Sequence, residues 1–233
     1  MGLTERHVNI IGAGYEGFML FLAEILCCAG KKILLLDHTK EHTMKEYLPG
    51  VEGLDPEKHI ADYGGIGYAV LTGTEERETA KDSIKNADNY EVHFNLYDIK
   101  SIFDNGVLVS EEDKKADTTL LFIDEKAGNI AALLNTKPEP DSILVINDYT
   151  GAIKRRIENT AVKLGIEKVY VLPLNARDRK LEILAGYNDR FKFQGLSRER
   201  KEVLMELSGL IIPEISKREL GKAYNTAARG GRK

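Results

Sequence analysis

Short apolar segments alternate with longer segments of mixed character along most of the chain. Seven short runs are rich in valine, isoleucine and leucine and are almost continuously apolar. Strands that are covered by helices on both faces of a parallel sheet have this composition. The strand candidates are residues 7–12, 32–37, 67–71, 91–95, 118–124, 142–147 and 168–173.

Helices are predicted between these runs. Residues 18–29 are apolar almost all round, which is typical of a buried central helix, whereas residues 75–86 are mostly polar. Residues 152–164 are amphipathic and stop at Gly165, and residues 197–210 begin with a serine N-cap. Strands that alternate with helices predict an α/β fold: a doubly wound, mostly parallel sheet of about seven strands with helices on both faces.

Two regions break this alternation. Residues 38–66 contain two prolines and four glycines, and we expect a long excursion with little regular structure, which either closes over a ligand or wraps the edge of the sheet. Residues 214–233 are basic and end in RGGRK. We therefore predict one nucleotide-binding-like domain over residues 1–213, followed by a basic C-terminal helix and a partly disordered tail over residues 214–233.

Composition and charge exclude several classes of protein. The 233 residues are 42% hydrophobic and carry a formal net charge of -4, which argues against a dedicated nucleic-acid coat. The longest apolar stretch is shorter than the roughly 20 residues of a membrane span, and the first residues lack the pattern of a signal peptide. The adjacent Cys27 and Cys28 cannot form a disulfide framework. These features predict a soluble cytoplasmic protein.

A glycine-rich turn carries the strongest chemical signal. The first predicted strand leads into GAGYEG, which leads into the apolar helix. Glycines let the backbone approach a phosphate closely, and free N–H groups at the start of a helix bind its charge. The candidate cofactor-binding residues of the turn are Gly12, Ala13, Gly14, Tyr15, Glu16, Gly17 and Phe18.

Asp37 completes one interpretation of this turn. It ends the second predicted strand, downstream of the spacing G-x-G-x-x-G, as the acidic residue of the dinucleotide fingerprint does. In this interpretation Asp37 accepts hydrogen bonds from ribose hydroxyls, and the protein is an NAD-binding Rossmann protein or oxidoreductase.

A second interpretation comes from a resemblance over most of the chain. The segment GKKILLLD after the apolar helix, the segment ADTTLLFIDEK at residues 116–126 and the whole of residues 142–191 resemble the ParA/MinD family of P-loop ATPases. The resemblance implies a P-loop, Rossmann-like fold. It also implies that Asn147 and Pro173, which end two late strands, lie near the adenine.

The turn departs from that family in the groups that handle phosphate. Residues 12–24 contain no lysine, serine or threonine, and Glu16 would repel a triphosphate. The resemblance places the acidic metal-positioning residue at Asn95 or Asp98, or at Asp124 if the register shifts by one strand; we favour the first register and expect a turn or cap role for Asp124. Loss of the lysine and the magnesium ligand removes most of the electrostatic stabilisation that phosphoryl transfer needs, so ATPase activity is expected to be lost.

These features predict a degenerate ParA/MinD-like protein, a pseudo-ATPase that resembles the TadZ-type positioning proteins of pilus systems. Its role would be that of a non-hydrolysing positioning or assembly partner. The resemblance implies a protein partner and a homodimer. ATP or ADP could bind without turnover, with NAD as the alternative ligand, and a purely structural protein whose turn binds nothing is the third hypothesis.

Other candidate chemistry is sparse. His38 and His42 have a spacing that could share one helical face, but no third ligand accompanies them, and His7, His59 and His93 are scattered. We predict no metal site and no catalytic nucleophile. The basic tail offers a weak indication of contact with nucleic acid or an anionic membrane.

Overall fold

The described residues form one sheet of eight strands. The structure, a computed structural model, describes residues 5–48, 60–70, 87–99, 116–136, 138–139, 141–185 and 192–230. The strands are β1 (Arg6–Gly12), β2 (Ile33–Asp37), β3 (Ala61–Asp62), β4 (Ile66–Val70), β5 (Val92–Asp98), β6 (Thr118–Ile123), β7 (Ile143–Tyr149) and β8 (Lys168–Pro173).

The order of the strands is β3-β4-β2-β5-β1-β6-β7-β8, and every neighbouring pair is parallel except β3 with β4. The predicted α/β class with a mostly parallel sheet is therefore confirmed, and each of the seven predicted strands is present. The additional strand, β3, belongs to the 38–66 excursion. Its two residues are too short to leave a pattern in the sequence.

Six α-helices connect and cover these strands within the described residues. They are α1 (Glu16–Cys28), α2 (Ala127–Thr136), α3 (Lys154–Leu164), α4 (Ala176–Ala185), α5 (Arg198–Ile211) and α6 (Lys217–Ala228). Two of the predicted ends are confirmed in detail: Gly165 ends α3 at φ 68°, and the Ser197 hydroxyl accepts a hydrogen bond from the N–H of Arg200 at the start of α5. The helix predicted at 75–86 lies outside the described residues.

The two faces of the sheet carry separate apolar cores. On one face, called the α1 face, α1 packs against the sheet and against α4, α5 and α6. On the opposite face, α2 and α3 cover β6 and β7. Residues 17–26 of α1 are all buried, as the predicted all-round apolar helix requires, and Cys27 and Cys28 are half-buried at its end.

The C-terminal helix belongs to the first of these cores. A capping box formed by Ser216 and Glu219 starts α6, and Leu220, Ala223 and Tyr224 are buried on its inner side. Helix α6 thus lies beyond residue 213 but shares the core of the α/β domain. Its apolar residues contact α1, so they are not available to a lipid surface. The last residues of the predicted disordered tail, 231–233, lie outside the described residues.

Candidate functional site

The glycine-rich turn at residues 12–17, called the glycine loop or simply the loop below, lies at the carboxyl edge of the sheet, between β1 and α1. Gly12 has φ 145°, and a Cβ atom there would overlap the carbonyl oxygen of Phe122 on β6. The N–H of Ala13 donates to the same oxygen, at 3.3 Å. Gly12 is therefore required by the close approach of two strands, whether or not a ligand binds.

Tyr15 turns inward beneath the loop. Its side chain is 2% exposed, and its ring makes an edge contact with Phe122 at 6.0 Å between centroids. Burial, and after it the charges of Asp37, Glu16 and Asp98, raise the pKa of Tyr15 well above its usual value. A neutral phenol therefore lies among three carboxylates, in the part of the loop where the ParA/MinD resemblance expects a lysine.

The beginning of the 38–66 excursion packs against the loop. The Thr43 hydroxyl donates to Glu16 Oε1 at 2.8 Å, and the N–H of Lys40 donates to Asp98 Oδ2 at 3.1 Å. Met44 is buried in the core of the α1 face. Residues 38–48 therefore pack against the glycine loop and the carboxyl ends of β2 and β5; residues 49–59 lie outside the described part of the chain.

Asp37 is committed to contacts within the protein. It is fully buried, its Oδ1 accepts hydrogen bonds from the N–H and the hydroxyl of Thr39, and its Oδ2 accepts one from Tyr68 at 2.8 Å. Burial and the Asp37 charge in turn raise the pKa of Tyr68. A ribose would have to displace these partners, so the geometry does not fit the ribose contact that the dinucleotide interpretation assigned to Asp37.

Asn147 holds the loop from the opposite side. Its Nδ2 donates to the carbonyl oxygen of Gly14 at 2.8 Å, and its Oδ1 accepts from Arg200 Nη2 at 2.9 Å. The side chain is 3% exposed. These contacts make Asn147 a positioning residue for the loop, a role distinct from the adenine contact that the family resemblance implies.

Arg200 belongs to a buried ion cluster with Glu182 and Asp178. Its Nη1 pairs with Glu182 Oε1, and its Nε lies 3.6 Å from Asp178 Oδ2. All three side chains are at most 3% exposed. Burial lowers the pKa of Arg200, and the charge of Asp178 opposes this shift. Asp178 also accepts hydrogen bonds from the N–H and hydroxyl of Ser197, at 2.7 and 2.5 Å.

The buried ion cluster also contacts α1. A Cβ atom on Gly17 would lie 2.7 Å from Cβ and 2.8 Å from Cγ of Glu182, so α1 and α4 approach each other at this glycine. No local pattern in the sequence marks this cluster, because Asp178 and Glu182 lie on α4 whereas Arg200 lies on α5. From the sequence, an arginine and two acidic residues on helices are predicted to be exposed to solvent.

The remaining predicted site residues are not assembled around the loop. Phe18 is fully buried and packs on Phe122 at 5.4 Å between centroids, so it belongs to the core. Pro173 is exposed at the end of β8, the third strand from β1 on that side of the sheet.

The acidic candidates separate by strand and face. Asp98 pairs in register with Gly12, and the alternation of β5 places it on the α1 face. Asn95 is buried on the other face, where its Nδ2 donates to Asn9 at 3.0 Å. Asp124 accepts hydrogen bonds from the N–H of Lys126 and from Asn129, which is the predicted turn role. Burial raises the pKa of Asp124, but the Lys126 ammonium group, followed by these two hydrogen bonds, outweighs it, so the pKa is lowered.

The side chains of residues 12–24 do not fit a magnesium nucleotide. Residues 12–24 provide neither an ammonium group for phosphate nor a hydroxyl for magnesium. The carboxylates around Tyr15 would add repulsion.

The order of the strands also separates the two nucleotide interpretations. In the dinucleotide fold the first two strands of the chain are neighbours. Here β5 lies between β1 and β2. This order does not fit the NAD-binding alternative, although the local sequence GAGYEG matches its fingerprint.

His38 and His42 do not share a helical face. His38 stacks on Tyr97 with 4.6 Å between ring centroids, whereas Nδ1 of His42 lies 3.6 Å from Asp37 Oδ1.

Among the described helices, none has the length and apolar character needed to cross a bilayer.

Comparison with known proteins identifies the fold. No protein-family model matches the chain, and no curated protein matches it. Among solved structures, a ParA family ATPase from Chlorobium tepidum TLS superposes with a TM-score of 0.56 at 12% identity, covering 88% of this chain and 99% of that one. A plasmid partition protein from Borrelia burgdorferi B31 bound to AMPPNP gives 0.58 at 10% identity, covering 91% and 100%. The chain thus has the fold of ParA-type ATPases over nearly its whole length.

Proposed function

We propose that this chain is a degenerate ParA/MinD-like protein that does not hydrolyse ATP and acts as a positioning or assembly partner, in the manner of the TadZ-type proteins. The fold supports the first part of this proposal, because both compared structures are ParA-type or partition proteins. The altered loop supports the second. A protein with this fold that lacks phosphate chemistry functions through the surfaces with which it binds other molecules.

One observation carries the proposal: the buried, uncharged Tyr15 lies among Asp37, Glu16 and Asp98 beneath the loop. Catalysis of phosphoryl transfer depends on positive charge that neutralises the equatorial oxygens and on a held magnesium ion. Residues 12–24 instead lack a lysine, and three carboxylates surround Tyr15. We therefore propose that nucleotide binding is weak or absent and that turnover is negligible.

The partner part of the proposal rests on the edge of the sheet. In the described part of the chain β8 is a terminal strand, and the side chains of Val169 and Val171 are 38% and 37% exposed on it. Leu174, directly after the strand, is 58% exposed. An edge strand with apolar side chains is a template for association, so we propose this edge as the contact for a second copy or a protein partner in the cytoplasm.

Calorimetric titration with Mg-ATP, ADP and NAD in turn, combined with a phosphate-release assay, tests the loop. We expect no phosphate release, and no binding tighter than about millimolar, which corresponds to about 4 kcal/mol. Asp98→Ala and Asp124→Ala are the matched pair of variants. Ordinary ATP turnover that either variant abolishes would overturn the proposal. Tight NAD binding would restore the dinucleotide interpretation.

Sedimentation analysis of the native chain and of Val171→Lys tests the edge. We expect the native chain to self-associate or to bind a partner and the variant to lose that association, because a lysine on an edge strand opposes pairing. Val162→Lys is the control, since Val162 is 79% exposed but lies on α3. Equal association of all three chains would contradict the assignment.

A further inference from the structure

Three metal-ligating side chains converge at the amino edge of the sheet, at the opposite end of β1 from the glycine loop. The candidate ligand atoms of Glu5, His7 and His93 all lie within 4.8 Å of one another. The imidazole rings meet edge to face with 4.9 Å between centroids, and Nε2 of His7 lies 3.6 Å from Glu5 Oε2. Within the described residues this is the one group in which the ligand atoms of three such side chains lie this near to one another.

The backbone fixes the two histidines relative to each other. His7 and His93 are directly paired in the parallel register of β1 and β5. The N–H of His7 donates to Asp117 Oδ2 at 2.9 Å, and its carbonyl oxygen accepts from the N–H of Asp117 at 2.8 Å. His93 lies on a strand with a hydrogen-bonded neighbour on either side. Both imidazoles are therefore presented from rigid elements, as a preorganised site requires.

His93 has a backbone carbonyl partner of the kind that orients many metal-ligating histidines. Its Nε2 lies 3.3 Å from the carbonyl oxygen of Tyr90. In the tautomer in which Nε2 donates to this oxygen, Nδ1 carries the lone pair that a metal needs. A ligating histidine generally donates its other N–H to a carbonyl or carboxylate, which orients the ring.

Local charge does not oppose a cation here. Arg6, the neighbour of His7, extends its guanidinium to Asp117 at 3.2 Å and is neutralised by it. Glu5 adds a negative charge on the open side, where its side chain is 41% exposed. Two imidazoles and one carboxylate form a donor set that suits zinc and its neighbours in the first transition row.

Small side-chain movements can bring the three ligand atoms to the spacing that a bound metal requires. Tetrahedral zinc with bonds of about 2.0–2.1 Å places its ligand atoms about 3.3 Å apart. The observed spacing of up to 4.8 Å therefore has to contract by about 1.5 Å. Glu5 and His7 are 41% and 32% exposed and can rotate, while buried His93 remains the fixed point.

We propose that Glu5, His7 and His93 bind one divalent transition-metal ion of the zinc class, with water in the fourth position. Three protein ligands and one exchangeable position is the arrangement of an open zinc site. Residues 7 and 12 of β1 are separated by about 16 Å along the strand, so this metal would not reach the glycine loop. The site is independent of the proposed function of that loop.

The test uses the full chain with any polyhistidine tag removed. Calorimetric titration with Zn²⁺ should give one site with a Kd in the micromolar range or below. His7→Ala and Glu5→Gln should each weaken it by about tenfold or more. The two side chains are 32% and 41% exposed, so neither change removes a core residue. His42→Ala, at the other edge of the sheet, is the matched control and should bind like the native chain.

Spectroscopy identifies the donors separately from affinity. Co²⁺ should give the visible bands of a tetrahedral site without thiolate charge-transfer absorption, and Zn²⁺ should shift the imidazole resonances of His7 and His93 in NMR spectra. Absence of binding below millimolar Zn²⁺, or His7→Ala and Glu5→Gln variants that bind like the native chain, would overturn the proposal. Thiolate absorption would overturn it in favour of Cys27 and Cys28.

Discussion

Replacement of Arg200 by methionine tests whether the buried ion cluster maintains the fold around the glycine loop. Arg200 is 2% exposed and pairs with Glu182, which is 3% exposed. Removal of Arg200 leaves the buried Glu182 carboxylate with one ion-pair partner among the described residues, Arg179 at 3.4 Å. Asp178 keeps its two hydrogen bonds from Ser197. Breaking a buried ion pair from one side costs about 3–5 kcal/mol.

That loss is a large fraction of the about 5–15 kcal/mol by which a domain is stable. Urea unfolding, followed by circular dichroism and by tyrosine fluorescence because the chain has 10 tyrosines and no tryptophan, measures it. An unchanged slope with a lowered midpoint would show that stability changed while the unfolded state did not.

Two further variants make the argument specific. Arg179→Met removes the other cation near Glu182, but Arg179 is 45% exposed, so we expect a loss of only about 0–1 kcal/mol. Arg200→Met combined with Glu182→Gln removes both charges, and we expect it to recover much of the loss because no uncompensated carboxylate remains at Glu182. A cost below about 1 kcal/mol for Arg200→Met, or a double variant no more stable than the single one, would refute this account.

Three other expectations follow from local geometry. Gly17→Ala should destabilise by about 1–3 kcal/mol because its Cβ would lie 2.7 Å from Cβ of Glu182, whereas Gly128→Ala, with open space around it in α2, should stabilise by up to about 1 kcal/mol; urea midpoints that move in the same direction would contradict the packing argument. Burial, followed by nearby carboxylates, raises the pKa of Tyr15 in the folded chain, so the stability that it contributes is complete below pH about 10 and is lost above it; Tyr15→Phe should reduce that alkaline loss in unfolding curves recorded across this pH range, and equal losses in both chains would count against it. Ser216→Ala removes the N-cap of α6 and should cost about 1 kcal/mol in the same unfolding assay, while Ser216→Asp should retain most of the stability.

The sequence determined the class of the fold through short-range signals. A strand covered on both faces must be apolar at nearly every position, so the seven long strands are visible as continuous runs. Gly165 and Ser197 mark helix ends because a left-handed residue and a hydroxyl cap act on the nearest backbone groups. The glycine turn at 12–17 and its lack of phosphate-binding side chains were equally local features.

Contacts between distant segments were decided only by tertiary structure. The fingerprint GAGYEG fits two kinds of nucleotide fold, and the choice between them depends on β5 lying between β1 and β2, a property of strand order. The inward turn of Tyr15 and the commitment of Asp37 to Thr39 and Tyr68 depend on what the next strands place nearby.

The same limit applies to the clusters found at the two edges of the sheet. Arg200 meets Glu182 because α5 and α4 pack on the same face, and His7 meets His93 because β1 and β5 pair in one particular register. A shift of one residue in that register would turn one imidazole to the other face. Composition and periodicity determine which segments are helices and strands, but only the packed chain determines which side chains become partners.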